Sequence, residues 1–132
     1  MDEKFMSPEP MKNLVEYVEG CVKHQKMIFV FEKKYLMPPE DAAESALELY
    51  TLPKEVQMTE VRIFDQEPKV DDYGHTLLSE ARAHSHGKSV PLIEKMSDPV
   101  RDIQVKLISE EKKDSFLRKD TIRIYQLTPK IK

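Results

Sequence analysis

Two histidines separated by a single residue, His84 and His86, are the most distinctive chemical feature of this 132-residue sequence. Neutral imidazole is a good ligand for zinc, iron or nickel, and at a strand end or in a loop two such rings can converge on one metal ion. Asp98 follows twelve positions after His86 and offers a carboxylate as a third ligand. These three residues are the basis of a metal-site hypothesis, with zinc as the cofactor.

The same segment resembles the JAMM/MPN family of zinc isopeptidases. The motif of that family is His-x-His-Pro, six variable residues and then Ser-x-x-Asp, with a catalytic glutamate well upstream. The resemblance implies a zinc-dependent hydrolase in which His84 and His86 are the ligand histidines and Asp98 is the ligand aspartate. The chain departs from the motif at Gly87, where proline is usual, and at Ser97, which directly precedes Asp98. The catalytic glutamate has several upstream candidates and is not assigned.

A second metal hypothesis involves Cys21 and His24, which lie one helical turn apart, together with His84 and His86. In the alternative interpretation, Cys21 is a small core residue and the histidines are exposed polar residues of a loop. Cys21 is also the only cysteine of the chain, which excludes an intramolecular disulfide and indicates a reducing compartment.

Basic residues are concentrated near the C-terminus. Residues 99–132 contain nine lysines and arginines but only five acidic residues. A nucleic-acid-binding module uses such a patch to hold backbone phosphates, while nearby aromatic rings stack on bases. The residues of this patch would be Lys112, Lys113, Arg118, Lys119 and Arg123. In the simpler interpretation, the interspersed acids make this segment a solvated surface of mixed charge.

A third group of charged residues predicts contact with another protein. Three glutamates lie on one side of a helix predicted over 39–52. Two cations alternate with apolar positions of a predicted C-terminal strand pair, so we expect them to share its solvated face. The residues of this predicted contact are Glu40, Glu44, Glu48, Lys106 and Arg123.

The elements that must position these residues are a mixture of helices and strands. Pro10 and an apolar stripe with helical spacing from Met11 to Val22 predict an amphipathic helix. Further helices are predicted at 39–52 and 71–84, with single helical turns at 92–96 and within 110–119. Alternation with period two predicts strands at 59–63, 103–107 and 121–124. Residues 27–36, which begin with the apolar run Met27–Phe31, fit either a buried strand or a buried helix.

Helices and strands without a strict β-α-β order predict an α+β fold. We expect a small, mainly antiparallel sheet of three to four strands, with two to three helices packed on one face. Residues 1–8 are expected to form a flexible N-terminal lead, 9–128 a single domain and 129–132 a flexible tail.

The composition excludes several classes of protein. Charged residues make up 34% of the chain and hydrophobic residues 39%, which supports one modest core. The longest purely apolar run, Met27–Phe31, is far shorter than the roughly 20 residues that span a bilayer. The acidic N-terminus lacks the pattern of a secretory signal, and the three glycines are too far apart for a phosphate-binding loop. We therefore expect a cytoplasmic protein without a membrane partner.

The leading functional hypothesis is a small intracellular, non-catalytic binding or adaptor protein that acts through protein–protein contacts and needs no cofactor. Its partner would be another protein, and a second copy of the chain is one candidate. A nucleic-acid-binding module that uses the basic C-terminal strand pair is the first alternative. A zinc-dependent JAMM/MPN-like hydrolase that uses the His-x-His segment is the second.

Overall fold

The computed structural model describes residues 11–37, 56–87, 91–114 and 119–130. Within these ranges lie two α-helices, α1 (Met11–Gln25) and α2 (Leu92–Met96), and a short 3-10 helix, Pro99–Arg101. The five strands are β1 (Ile28–Met37), β2 (Val56–Phe64), β3 (His84–Gly87), β4 (Ile103–Asp114) and β5 (Lys119–Pro129). Neighbouring strands are all antiparallel, and their order across the sheet is β3-β2-β1-β5-β4.

Helix α1 forms where the apolar stripe predicts it and packs on one face of the sheet, which we call the helix face. Its buried side chains meet Ile28 and Val30 of β1, and α2 adds Leu92 and Met96 to the same cluster. The buried residues of α1 are Leu14, Val15, Val18, Cys21 and Val22. Burial of each large aliphatic side chain contributes about 1.5–3 kcal/mol, so this stripe holds the helix on the sheet.

Strand β1 is the central strand, and its bounds show that residues 28–36 form a strand rather than a helix. Residues that alternate along a strand point to opposite faces, and both faces of β1 are covered. Ile28 and Val30 belong to the helix-face cluster, whereas Phe29 and Phe31 belong to a second cluster on the opposite face. Because both faces are covered at this end of the strand, residues 28–31 are all apolar, which explains why no period was visible there in the sequence.

The opposite face of the sheet, which we call the loop face, is covered by the segment 65–81. Val70, Leu78 and Ala81 of this segment pack against the second cluster. The helix predicted at 71–84 is wrong, because residues 71–82 are irregular apart from a bridge between Val70 and Thr76, Ala83 forms another bridge and His84 begins β3. An aspartate side chain that binds nearby backbone N–H groups competes with helix formation.

Asp71 makes that competing interaction. Its Oδ1 accepts hydrogen bonds from the backbone N–H groups of Tyr73 and His75, each at 2.8 Å. Gly74 then adopts a left-handed backbone, with φ of 84°, which suits glycine. The result is a tight turn over the loop face.

The sheet is larger than the sequence predicts, because it has five strands rather than three to four. Strand β3 has the sequence His-Ser-His-Gly, which lacks apolar alternation. Strand β4 continues through the polar residues up to Asp114, so no helical turn occupies 110–114. Strand pairing also extends beyond residue 128, because Ile103 pairs with Pro129 and the Lys130 N–H donates to the Asp102 carbonyl at 2.9 Å.

Two helices and an antiparallel sheet agree with the α+β prediction in its coarser form, and α2 matches the turn predicted at 92–96. The predicted lead 1–8 and the predicted helix 39–52 lie outside the described residues. In the ranges that the structure covers, no helix combines the length and the apolar character needed to span a membrane.

Candidate functional site

The loop face carries a polar pocket of about 430 Å³, which we call the loop-face pocket. Strands β1 and β2 provide its floor, and the turn after Asp71 provides a wall. The residues that line it are Phe31, Lys33, Tyr35, Glu60, Arg62, Gly74, His75 and Thr76. Charged and polar side chains predominate in this lining, whereas sites for drug-sized ligands are predominantly apolar, so the pocket suits a small polar group.

The strand register places two cations on this floor. Lys33 lies directly opposite Glu60, and Phe31 lies opposite Arg62. Directly opposed residues of antiparallel strands point to the same face, so Lys33 and Arg62 are diagonal neighbours. Diagonal side chains start roughly 7–8 Å apart, a separation that one small ligand group can bridge.

Lys33 is a charged residue in an almost fully buried position. Its Nζ lies 3.7 Å from Oδ2 of Asp120, with side-chain exposures of 5% and 6%, and 5.6 Å from the centre of the Tyr35 ring. A buried ammonium is costly unless charge pairing and hydrogen bonds offset its lost hydration. Among the described residues, none accepts a hydrogen bond from this ammonium.

Gly74 allows the turn to lie directly against Lys33. A Cβ atom at position 74 would lie 3.6 Å from Cε and Nζ of Lys33 and only 2.9 Å from Cδ1 of Ile122. The second distance is shorter than real Cβ contacts permit. The absence of a side chain at this position therefore allows the turn to approach Ile122 and Lys33 this closely.

Arg62 and Glu60 form the more accessible part of the floor. The Nε of Arg62 donates to Oε2 of Glu60, and the Arg62 side chain remains 32% exposed. At the rim, the rings of Tyr73 and His75 stack with their centres 6.4 Å apart. Tyr73 itself is 77% exposed.

The two histidines of the metal hypothesis lie next to this pocket on β3. His84 pairs with Arg62 and His86 pairs with Glu60 across the strands, and their rings meet edge to face at 5.4 Å. Burial, reinforced by the charges of Arg62 and His86, lowers the pKa of His84 below its ordinary value. The structure therefore brings the two imidazoles together.

Asp98 does not join these histidines. Its Oδ1 accepts a hydrogen bond at 3.0 Å from the N–H of Val100 and caps a short 3-10 helix, Pro99–Arg101. Cys21 is buried in the helix-face cluster, on the other side of the sheet. Within the described ranges, no three His, Cys, Asp or Glu side chains are arranged to hold a metal ion.

The cations of the predicted contact surface, Lys106 and Arg123, do not share a face as expected. Lys106 pairs with Gln126, three positions from Arg123, so the two side chains point to opposite sides of the sheet. Arg123 instead lies on the helix face, where its Nε donates to Glu110 at 2.5 Å and its Nη1 lies 3.8 Å from Glu32.

The remaining residues of the basic patch are dispersed. Lys112 and Lys113 alternate between the two faces, and Nζ of Lys113 lies 3.1 Å from a carboxylate oxygen of Glu111. Lys119 is exposed at the start of β5. The other predicted contact residues, Glu40, Glu44, Glu48 and Arg118, lie outside the described residues.

Sequence reasoning missed the pocket residues of β1 and β2. The sequence did contain one signal, because Glu32 and Lys33 directly follow the apolar run Met27–Phe31. Charged residues in a buried strand are rarely without a partner, so they indicate a paired or binding position. Chemically, the pocket presents two cations and an aromatic rim, an arrangement suited to binding. Comparisons with protein-family models, with curated proteins and with solved structures found no match to the chain.

Proposed function

We propose that this protein is a non-catalytic binding protein that acts through contact with another protein, and that the rim of the loop-face pocket is its contact surface. The supporting observation is the exposed Tyr73, whose ring stacks on His75, and His75 lines the pocket together with Arg62. Tyrosine and arginine are the residue types that most often dominate the binding energy of protein interfaces.

The turn that carries Tyr73 is held in one conformation by its own hydrogen bonds. Two of these bonds are those to Oδ1 of Asp71. In addition, the N–H of Asp71 donates to the carbonyl of His75 at 2.8 Å, and the N–H of Leu77 donates to the carbonyl of Lys69 at 2.7 Å. A preordered loop loses little conformational entropy on association. An exposed aromatic ring on such a turn is therefore well suited to partner recognition.

The ion pairs of the basic patch favour protein binding over nucleic-acid binding. Arg123 contacts Glu110 and Glu32, and Lys113 contacts Glu111. Phosphate binding depends on lysines and arginines whose charge is available to the backbone. The paired acids offset that charge locally, so less positive charge is available to phosphates. Nucleic-acid binding is therefore the second candidate function.

Site-specific photo-crosslinking tests this proposal. A benzophenone amino acid replaces Tyr73 in one protein and Glu94, on the exposed side of α2, in a matched control. After irradiation in an extract of the source cells, we expect a discrete protein adduct from position 73 and none from position 94. The adduct should weaken when Arg62→Ala is added. Identical adducts from both positions, or none from position 73, would contradict the proposal.

A further inference from the structure

We propose that the loop-face pocket receives a carboxylate from an acidic side chain of the partner, with Lys33 and Arg62 as its two cationic contacts. This inference rests on the proposed function, because it names the group that the partner inserts. Neither residue was part of the charged surfaces that the sequence indicated.

The first argument is the buried ammonium of Lys33. An ammonium has three donors, and Asp120 at 3.7 Å lies beyond hydrogen-bond distance. Lys33 lines the pocket, and no other described residue accepts a hydrogen bond from it. Because the ammonium lines the pocket and its pairing with Asp120 is longer than a hydrogen bond, an oxygen atom placed in the pocket would be a closer acceptor and would be bound favourably.

The second argument is the guanidinium of Arg62. Only its Nε contacts Glu60, and none of the described residues accepts a hydrogen bond from its terminal nitrogens. The planar fork of arginine matches the two oxygens of a carboxylate. Its diagonal position relative to Lys33 allows one carboxylate to contact both cations.

The charge balance decides between a carboxylate and a more highly charged anion. Two cations, Lys33 and Arg62, stand against two acids, Glu60 and Asp120. The charges of these four groups sum to zero. A carboxylate brings one negative charge, whereas a phosphate dianion brings two and is therefore repelled more strongly by Glu60 and Asp120. Phe31 on the floor offers an apolar contact for the methylene groups of a glutamate side chain.

Glu60 also makes the inference testable in the direction of tighter binding. It already occupies one edge of the Arg62 guanidinium and repels an incoming carboxylate. Replacement of this acid by a neutral amide should therefore strengthen binding. A variant that loses affinity is sometimes simply misfolded, but misfolding does not produce a gain of affinity.

The experiment is an NMR titration of the ¹⁵N-labelled full chain with two capped pentapeptides, acetyl-Gly-Gly-Glu-Gly-Gly-amide and its counterpart with glutamine. We expect saturable shifts of the Gly74, His75 and Thr76 amides with the glutamate peptide only. Arg62→Gln should weaken binding about tenfold, the loss of one charge-assisted hydrogen bond. Glu60→Gln should tighten it several-fold.

Arg82→Gln is the matched control, because Arg82 pairs with Asp65 at 3.3 Å and lines a separate pocket of about 340 Å³. It should leave the affinity unchanged. Lys33→Met should abolish binding if its circular dichroism remains native, and otherwise the Arg62 and Glu60 variants decide.

The proposal is overturned if neither peptide binds, if both bind alike, if inorganic phosphate binds more tightly than the glutamate peptide, or if Glu60→Gln weakens binding. Its failure is distinguishable from failure of the proposed function. Crosslinked adducts at position 73 without peptide binding contradict the carboxylate site alone, whereas peptide binding without adducts contradicts the protein-binding function alone.

Discussion

The ammonium of Lys33 and the carboxylate of Asp120 lie 3.7 Å apart on the loop face, with both side chains almost fully buried. The pair joins β1 to β5, because Asp120 is opposite Tyr35, two positions along β1 from Lys33. Water is largely excluded from this position, and the attraction between the two opposite charges offsets the hydration that each loses on burial. The floor of the loop-face pocket therefore depends on this pair.

Removal of either partner should destabilise the fold. Since removal of one partner of a buried ion pair costs about 3–5 kcal/mol, we expect Lys33→Met and Asp120→Asn each to lower the free energy of unfolding by roughly that amount. Urea unfolding of both single variants and the double variant measures the coupling between them. The more exposed pair Arg82–Asp65 is the control and should show about 0–1 kcal/mol. Changes at Lys33 and Asp120 no larger than the control would contradict this assignment.

Two glycines should respond to alanine with opposite signs. Gly74→Ala places a Cβ 2.9 Å from Ile122 in a left-handed backbone, so we expect a loss of stability of about 1–3 kcal/mol. Gly20 lies inside α1 with no neighbouring atom within 4 Å of such a Cβ, so Gly20→Ala should gain about 0.5–1 kcal/mol. Thermal unfolding of both variants tests the prediction, and equal signs would contradict it.

Glu32 should make stability depend on pH. Burial raises the pKa of Glu32, against the opposing charges of Lys34 and Arg123. The folded state then holds a proton that the unfolded state has lost, so the free energy of unfolding falls as pH rises from about 4.3 through the raised value. Glu32→Gln removes this dependence, and its stability relative to the unmodified protein should increase as pH rises over that range.

Glu110→Gln is the matched control for that experiment. A hydrogen bond from Arg123, together with its charge, lowers the pKa of Glu110. A lowered folded-state pKa contributes stability that is present above the ordinary value and is lost as pH falls through the lowered one. The relative stability of Glu110→Gln should therefore decrease as pH rises, opposite to Glu32→Gln. Parallel slopes in chemical denaturation at several pH values would show that the assigned environments are wrong.

Elemental analysis tests the zinc hypothesis directly. Because Asp98 caps the 3-10 helix instead of joining His84 and His86, we expect no stoichiometric zinc in the purified protein. His84→Ala and His86→Ala should leave the metal content unchanged. One zinc ion per chain that is lost in both variants would instead support the metal-dependent alternative.

Salt dependence tests the nucleic-acid alternative. Since acids accompany Lys113 and Arg123, we expect only weak binding to a labelled oligonucleotide, with a dissociation constant no tighter than about 10⁻⁴ M at physiological salt. Fluorescence anisotropy at low and high salt provides the measurement, with Lys112→Ala and Lys119→Ala as variants. Tight binding that falls steeply with salt and weakens in these variants would favour nucleic acid over protein as the partner.

Local periodicity was sufficient for much of the secondary structure. The helical stripe of α1 and the alternation within β2, β4 and β5 are properties of neighbouring residues, and each appears where it was predicted. The positions of β3 and of the turn after Asp71 were missed. Strand β3 has no apolar alternation. At the turn, the Asp71 side chain accepts hydrogen bonds from backbone N–H groups and so competes with helix formation.

The amino-acid sequence by itself determined which short segments favour helix or strand, because that preference depends on residues a few positions apart. Only the tertiary structure decided that Lys33 meets Asp120, 87 positions away, and that Lys106 and Arg123 point to opposite sides. Alternation along a strand shows which residues share a side of that strand. Which strand becomes its neighbour, and in which register, depends on burial of both faces of the sheet at once.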